Sequence, residues 1–326
     1  MPDWNHRSSP SGVRGAKYQT APEDIEAIQT TVRIVADQAE NFGGRHGRSA
    51  VAAYLAEDAS YILAAYAPDP LRREVFNSTA QLTHLLAKMT ADAGYHGLAQ
   101  DYYQTALALA QEAGNPVTYA VGLRAMSAQV LELGHYRQAL SLAEAAVAMA
   151  GTNADGPTTA FLLSQLAVTH AYDGQHQSAV RELAAAETSL ERCDSDLGPF
   201  TSYPRAALEY QRSQAFLALG MRSEALRSLR SSARNRQPRQ CRSSALTEFQ
   251  LGEILLSSGH LDEACTRWER FLAKSNYVRS ARIDQALKQL YKRLRPYQRQ
   301  RNAATVWDHL NTALLRKGLR RVGDFP

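Results

Sequence analysis

Cysteine is nearly missing from this chain: Cys193, Cys241 and Cys265 are the only three among 326 residues. An odd number with no paired spacing excludes a disulfide framework, and reduced thiols in a cytoplasmic protein are the natural reading. Long apolar runs are missing as well. No stretch of eighteen apolar residues occurs, which excludes a membrane-spanning helix. The first residues carry charge with no apolar core behind it, so no secretory signal is expected. Lysine is scarce while alanine and arginine are abundant, the habit of a GC-rich genome as much as a functional signal.

The motifs of catalysis are missing too. There is no His-Glu-x-x-His, no paired cysteine, no nucleophile elbow and no P-loop. Gly43-Gly44-Arg45-His46-Gly47 lacks the Gly-Lys-Ser/Thr that would hold a phosphate. His170 and His176 flank a turn at Asp173-Gly174, so they belong to different helices and point apart. His46 and His84 stand singly. No enzymatic activity, cofactor or metal is expected.

What the chain does have is a period. Gly94, Ala99 and Ala106 are followed forty residues later by Gly134, Ala139 and Ala146, and again by Gly174, Ala179 and Ala186. Looser copies follow as Gly220, Ala225, Ser232 and Gly259, Ala264, Phe271, after a 46-residue step that implies a longer loop at residues 193–204. A fixed period of this size marks a helical repeat array. Each unit reads as two helices with glycine in the turn. In residues 119–133 the stripe Leu123, Met126, Val130, Leu133 is helical, Gly134 ends it, and the next helix is expected to bury Tyr136, Leu140 and Val147 beside Ala139 and Ala146. Gly114-Asn115-Pro116 and Gly156-Pro157 punctuate the units.

These units resemble the tetratricopeptide repeat (TPR), with a turn glycine, an aromatic or similar residue two later (His96, Tyr136, His176, Leu261), then alanine, a large residue and alanine. They are longer than the usual repeat of about 34 residues, and by period alone HEAT or armadillo repeats fit as well. The expected fold is all-α: a TPR-like right-handed superhelical solenoid of antiparallel helix pairs.

In chain order, residues 1–21 read as a disordered arm and residues 22–70 as an N-terminal helical unit. In that unit Ile25, Ile28, Val32, Val35, Ala39 and Phe42 form one apolar face, Gly43-Gly44 stops the helix, and a second helix over 50–66 buries Tyr54, Leu55, Ile62, Leu63 and Tyr66. Residues 71–275 are the TPR-like array, and 276–326 are basic capping helices. Residues 222–326 hold 22 Lys and Arg against 9 Asp and Glu; residues 1–221 hold 15 against 23. A basic end sits on an acidic body.

Gly43-Gly44-Arg45-His46-Gly47-Arg48, Tyr54-Leu55, and Asp92-Ala93-Gly94-Tyr95-His96-Gly97-Leu98-Ala99-Gln100 with Ala106-Leu107 are similar to the TPR region of actinobacterial transcriptional regulators. Those regulators carry an N-terminal helix-turn-helix of the Cro/repressor type. The resemblance covers about residues 22–190. It implies the sensing or dimerising half of such a regulator, in a family linked to development and antibiotic production. About twenty residues precede the first helix, fewer than a helix-turn-helix needs, so the DNA-reading half is expected to be lacking.

Two sets of candidate residues follow. In the repeat register the inner groove presents His84, Lys88, Asp92, Arg124, Ala128, Phe161, Ser164, Val168, Tyr210, Gln214, Phe249 and Glu253, aromatics beside polar groups that suit a peptide. No asparagine falls on this face, and no lysine/asparagine carboxylate clamp forms. The basic run Lys292, Arg293, Arg295, Arg299, Arg301, with Tyr291 and Tyr297 interleaved, is placed for weak nucleic-acid contact or is a solvated capping helix. The expectation is a non-enzymatic cytoplasmic adaptor or regulator that binds a peptide or protein partner, with a homodimer as a further partner. The alternative is a nucleic-acid-associated transcriptional regulator using the basic end.

Overall fold

The computed structural model describes residues 19–192 and 198–319. Most of the arm expected at 1–21, together with Cys193, lies outside the described residues. The N-terminal unit is α1 (Pro22–Phe42), α2 (Arg48–Tyr54) and α3 (Ser60–Ala64), the last two joined by a π-helical turn at Leu55–Ala59. Antiparallel pairs follow: α4 (Asp69–Asp92) with α5 (His96–Glu112), α6 (Pro116–Glu132) with α7 (Tyr136–Ala150), and α8 (Gly156–Tyr172) with α9 (His176–Glu191). Next come α10 (Arg205–Ala218) with α11 (Arg222–Asn235) and α12 (Cys241–Ser257) with α13 (Leu261–Ser275), then α14 (Ala281–Leu294) and α15 (Arg301–Arg316). No strand forms among the described residues; one isolated bridge joins Gln19 and Tyr66. The architecture is an all-α, TPR-like solenoid.

The turns explain the period. At Gly134 φ is +87°, a left-handed conformation that costs a side-chain-bearing residue energy. Gly134 donates its N–H to Leu131 O at 3.0 Å and His135 donates to Val130 O at 3.1 Å, the paired bonds of a Schellman cap. The same two bonds recur after α4, α8, α10 and α12. Helix starts are fixed by side chains where the sequence provides them. Asn115 accepts from Val117 and Thr118 N–H, and Asp155 accepts from Thr158 N–H.

Packing between helices uses smaller residues than the apolar stripes predict. The buried seam of α7 is Ala139, Ala143, Ala146 and Ala150, while Tyr136 is 45% exposed and stacks on Tyr172 at 5.2 Å between ring centroids. Leu140 and Val147 are half-buried, and Leu133 at the end of α6 is exposed. The reason is that α7 lies between α6 and α8 and is approached closely from both, so the larger side chains are displaced to the edges of the seam. In the fourth unit Ser232 takes the alanine's place and donates its hydroxyl to Ala206 O at 2.7 Å. In the fifth the sizes are reversed: Gly252 on α12 accommodates Trp268 of α13, whose ring would overlap any added Cβ.

The second helix of the N-terminal unit also differs from its expected stripe. The π turn rotates the face, so Val51, Ala59 and Ile62 are buried and Tyr66 is 67% exposed. Phe42 is likewise exposed, at the end of an α1 face that otherwise packs as expected.

The solenoid closes on itself. The turn after α1 meets the turn before α14: Arg279 donates its N–H to Phe42 O at 2.6 Å, and Arg45 donates to Arg279 O at 3.0 Å. Buried Asp92, at the end of α4, gathers three partners from distant parts of the chain. It accepts Gly44 N–H at 2.8 Å, the Arg242 guanidinium at 2.8 and 2.6 Å, and the Ser280 hydroxyl at 2.9 Å. Arg45 and Lys317 both pair with Asp284, and Arg282 pairs with Glu132.

Candidate central cavity

Closure turns the inner face of the array into a cavity of about 420 Å³. Side chains reach it from α1, α4, α5, α6, α8, α10, α12 and α14, together with the segment 199–204. Most of these are the first helices of their pairs, because alternate helices of a solenoid share one face.

Seven of the sequence-predicted groove residues meet here, among them His84, Lys88, Arg124, Phe161 and Tyr210. Asp92 and Ala128 line it as well, Asp92 as the closure latch. The other residues of the set have different neighbours. Ser164 is buried and shares a 2.6 Å hydrogen bond with the Tyr203 hydroxyl. Val168 packs in an interhelix core. Gln214 pairs with Gln250 at 2.7 Å. Phe249 is buried against Phe271 at 5.4 Å between centroids. Glu253 holds Arg293 at 3.2 Å and Gln289 at 2.9 Å. On α8, α10 and α12 the cavity is lined near the helix starts, by Phe161, Tyr210 and Arg242, and the later residues of the set on the same helices pack against other elements.

The segment 199–204 is the part sequence reasoning missed. It reads as an ordinary long loop, yet it enters the cavity. Phe200 meets His84 edge-on at 5.0 Å, and Tyr203 meets Phe161 edge-on at 5.2 Å. Its signal was aromatic residues bracketed by Pro199 and Pro204, a composition that orders a loop. Arg236 and Tyr103 were missed as well, because they lie on a loop and on a second helix; Arg242 is on a first helix, seven residues before Phe249, where the register was not extended.

Cations outnumber anions on the cavity wall. Lys88, Arg124, Arg236, Arg239, Arg242 and Arg282 face Asp37, Glu40, Asp92 and Glu132. At Asp92 burial opposes the charge, but the Arg242 guanidinium and Gly44 N–H outweigh it and hold the carboxyl below its usual range. Burial likewise opposes the Arg242 charge, and Asp92 and Glu40 outweigh it to raise its pKa. Arg124 lies 3.9 Å above the Phe161 ring, and burial draws it down to about 10. Arg236 lies 5.9 Å from the Tyr210 ring and is also lowered by burial. Lys88 is exposed at the cavity, yet the protein around it lowers its pKa by burial, with Glu40 opposing. His84 is buried and drawn down to about 3 by desolvation, then by Lys88 and Arg124, so it is neutral at neutral pH. Burial pushes the Tyr203 phenol up to about 12.

The basic end is arranged differently. Lys292, Arg295, Arg299 and Arg301 are exposed, and Arg293 is paired with Glu253. Tyr291 stacks on Trp307 at 4.8 Å and Tyr297 packs on the core of α12–α15, so both rings already have protein partners. Among the described residues no group of His, Cys, Asp or Glu is placed to hold a metal, and no helix is long and apolar enough to cross a membrane.

No protein-family profile and no curated protein matches the chain. Its architecture is similar to solved structures. A Rap protein complexed with competence and sporulation factor is 12% identical, with a TM-score of 0.51 over 91% of this chain and 100% of the other. The TPR-like repeats of a putative kinesin light chain from Podosopora anserina are 18% identical, with a TM-score of 0.40 over 61% of this chain and 95% of theirs. BtubC from P. vanneervenii is 14% identical, with a TM-score of 0.44 over 77% and 90%. At these identities the likeness is one of fold.

Proposed function

We propose that this protein is a peptide- or protein-binding module whose partner enters the central cavity, the receiving part of a cytoplasmic regulator. The observation that carries this reading is the cavity itself: walled by aromatic rings and charged side chains, and built where the alternate helices of every unit converge. The likeness in fold to a Rap protein solved with a bound factor supports it. The regulatory assignment rests on the resemblance at residues 43–48 and 92–110. The rival use of the basic end on nucleic acid is disfavoured by the partners that Arg293, Tyr291 and Tyr297 already have.

The test is selection of binders from a random dodecapeptide display library on the immobilised full chain. Selected peptides bind the native protein and lose binding to the Arg124→Glu/Tyr210→Ala variant, with an unchanged melting temperature. Should that variant unfold, Arg239→Glu serves instead, since Arg239 is exposed at the cavity and holds no ion pair. Undiminished binding to a folded cavity variant places the partner elsewhere and ends this reading.

A further inference from the structure

Resting on that reading, we infer that the cavity is an anion seat, and that its occupant is an acidic peptide whose carboxylates are held by Arg124 and Arg236. The charges on the wall are not balanced internally. Arg242 and Arg282 are neutralised by Asp92 and Glu132, and Glu40 accepts the Ser243 N–H at 2.9 Å. Lys88, Arg124, Arg236 and Arg239 form no ion pair, against Asp37 and Glu40 as the wall carboxylates outside one among the described residues.

Two of these cations are positioned rather than loose. Arg124 is seated on Phe161 and Arg236 beside Tyr210. In both the Nε atom is buried with no acceptor, a donor that has left water with nothing in exchange. Tyr203 lies within electrostatic reach of both guanidinia. Carboxylates at the two guanidinia offset the burial that lowers both arginines and Lys88.

The wall also selects the kind of anion. A nucleic acid needs open ring faces for its bases and a continuous cationic track for its phosphates. Here Phe161 is covered by Arg124 and Tyr203, and His84 by Tyr103 and Phe200. Acceptors share the cavity with the cations: Asp37 and Glu40 line it as well. Such acceptors repel a phosphodiester chain and suit the N–H groups of a peptide.

The experiment is fluorescence anisotropy with labelled hexaglutamate, hexaglutamine, hexalysine and hexaadenylate RNA, at 0.1 M salt by design (about one Debye length of 10 Å). Hexaglutamate binds at least about tenfold more tightly than hexaglutamine or hexalysine. The Arg124→Gln/Arg236→Gln variant loses at least about tenfold of that affinity at an unchanged melting temperature. If the double variant is unstable, Lys88→Gln, whose side chain has no hydrogen bond or ion pair in the structure, shows a smaller loss in the same direction. Equal affinity for hexaglutamate and hexaglutamine, or hexaglutamate binding indifferent to these variants, overturns the anion seat. Tighter binding of the RNA, lost in the variants, assigns the seat to phosphate and overturns the peptide. Library-selected peptides that carry no acidic residue but still need the cavity overturn the anion seat while leaving the proposed function standing.

Discussion

His84 shows how a single residue combines a groove position with a structural one. Its ring is wedged between Tyr103, at 5.6 Å, and Phe200, at 5.0 Å, and its Nδ1 is buried without a partner. In the unfolded chain it titrates near 6.5 and in the folded protein near 3, so its folded pKa is depressed. The unfolded state therefore takes up a proton that the folded state refuses. Stability is present in full above about pH 6.5 and falls as pH drops toward 3, by up to about 1.4 kcal/mol per pH unit. Urea unfolding at several pH values is expected to show a flatter acid limb for His84→Phe than for the native chain. Asp92 and Glu187, whose carboxyls are held low, lose stability in acid in both proteins, so the difference reports His84. Parallel acid limbs would mean the imidazole is hydrated and the cavity wall looser than described. In the sequence His84 was legible as an inner-face residue, but its burial was not, because Phe200 comes from a loop 116 positions away.

At the scale of the element, two glycines in the same chain are required for different reasons. Gly134 sits in open space, and only its φ of +87° matters. Gly44 has no such backbone constraint, but a Cβ there would fall on the carbonyl oxygen of Met89 and lie 2.8 Å from the Asp92 Cβ. Gly134→Ala is expected to cost about 1 kcal/mol from the left-handed conformation. Gly44→Ala is expected to cost about 3 kcal/mol, since backbone atoms of α4 cannot retreat without moving the helix. Chemical denaturation of the two variants measures the order, and a larger loss at Gly134 would contradict the closure geometry. The turn glycines were readable because the left-handed conformation restricts residue type locally. The α7 seam was readable only in its recurring alanines, Ala139 and Ala146. A helical stripe gives direction around one axis, and only the presence of two close neighbours decides that alanines, not Tyr136 and Val147, fill it.

For the whole molecule, closure rests on Asp92 more than on any surface pair. Asp92 and Arg242 are 5% and 11% exposed, so salt screens them weakly. Asp92→Asn leaves the Arg242 guanidinium without its counter-charge in a buried site, an expected loss of about 3 kcal/mol. Hydrogen exchange should locate the damage: the Gly44, Arg45 and Arg279 amides, which bond across the closure, lose protection while α6–α9 keep theirs. Uniform loss through every helix pair would mean that Asp92 supports its own unit and not the ring.

The sequence by itself determined the helix pairs, their turns and the small residues between them, because each depends on neighbours within one period of about forty residues. It also placed His84, Arg124 and Tyr210 on a shared inner face. Only the tertiary structure decided that the ends meet, that 199–204 enters the middle, and which cations go unpaired. Those outcomes sum small rotations over successive units and join residues such as Asp92 and Arg242, 150 positions apart, whose meeting no local pattern encodes.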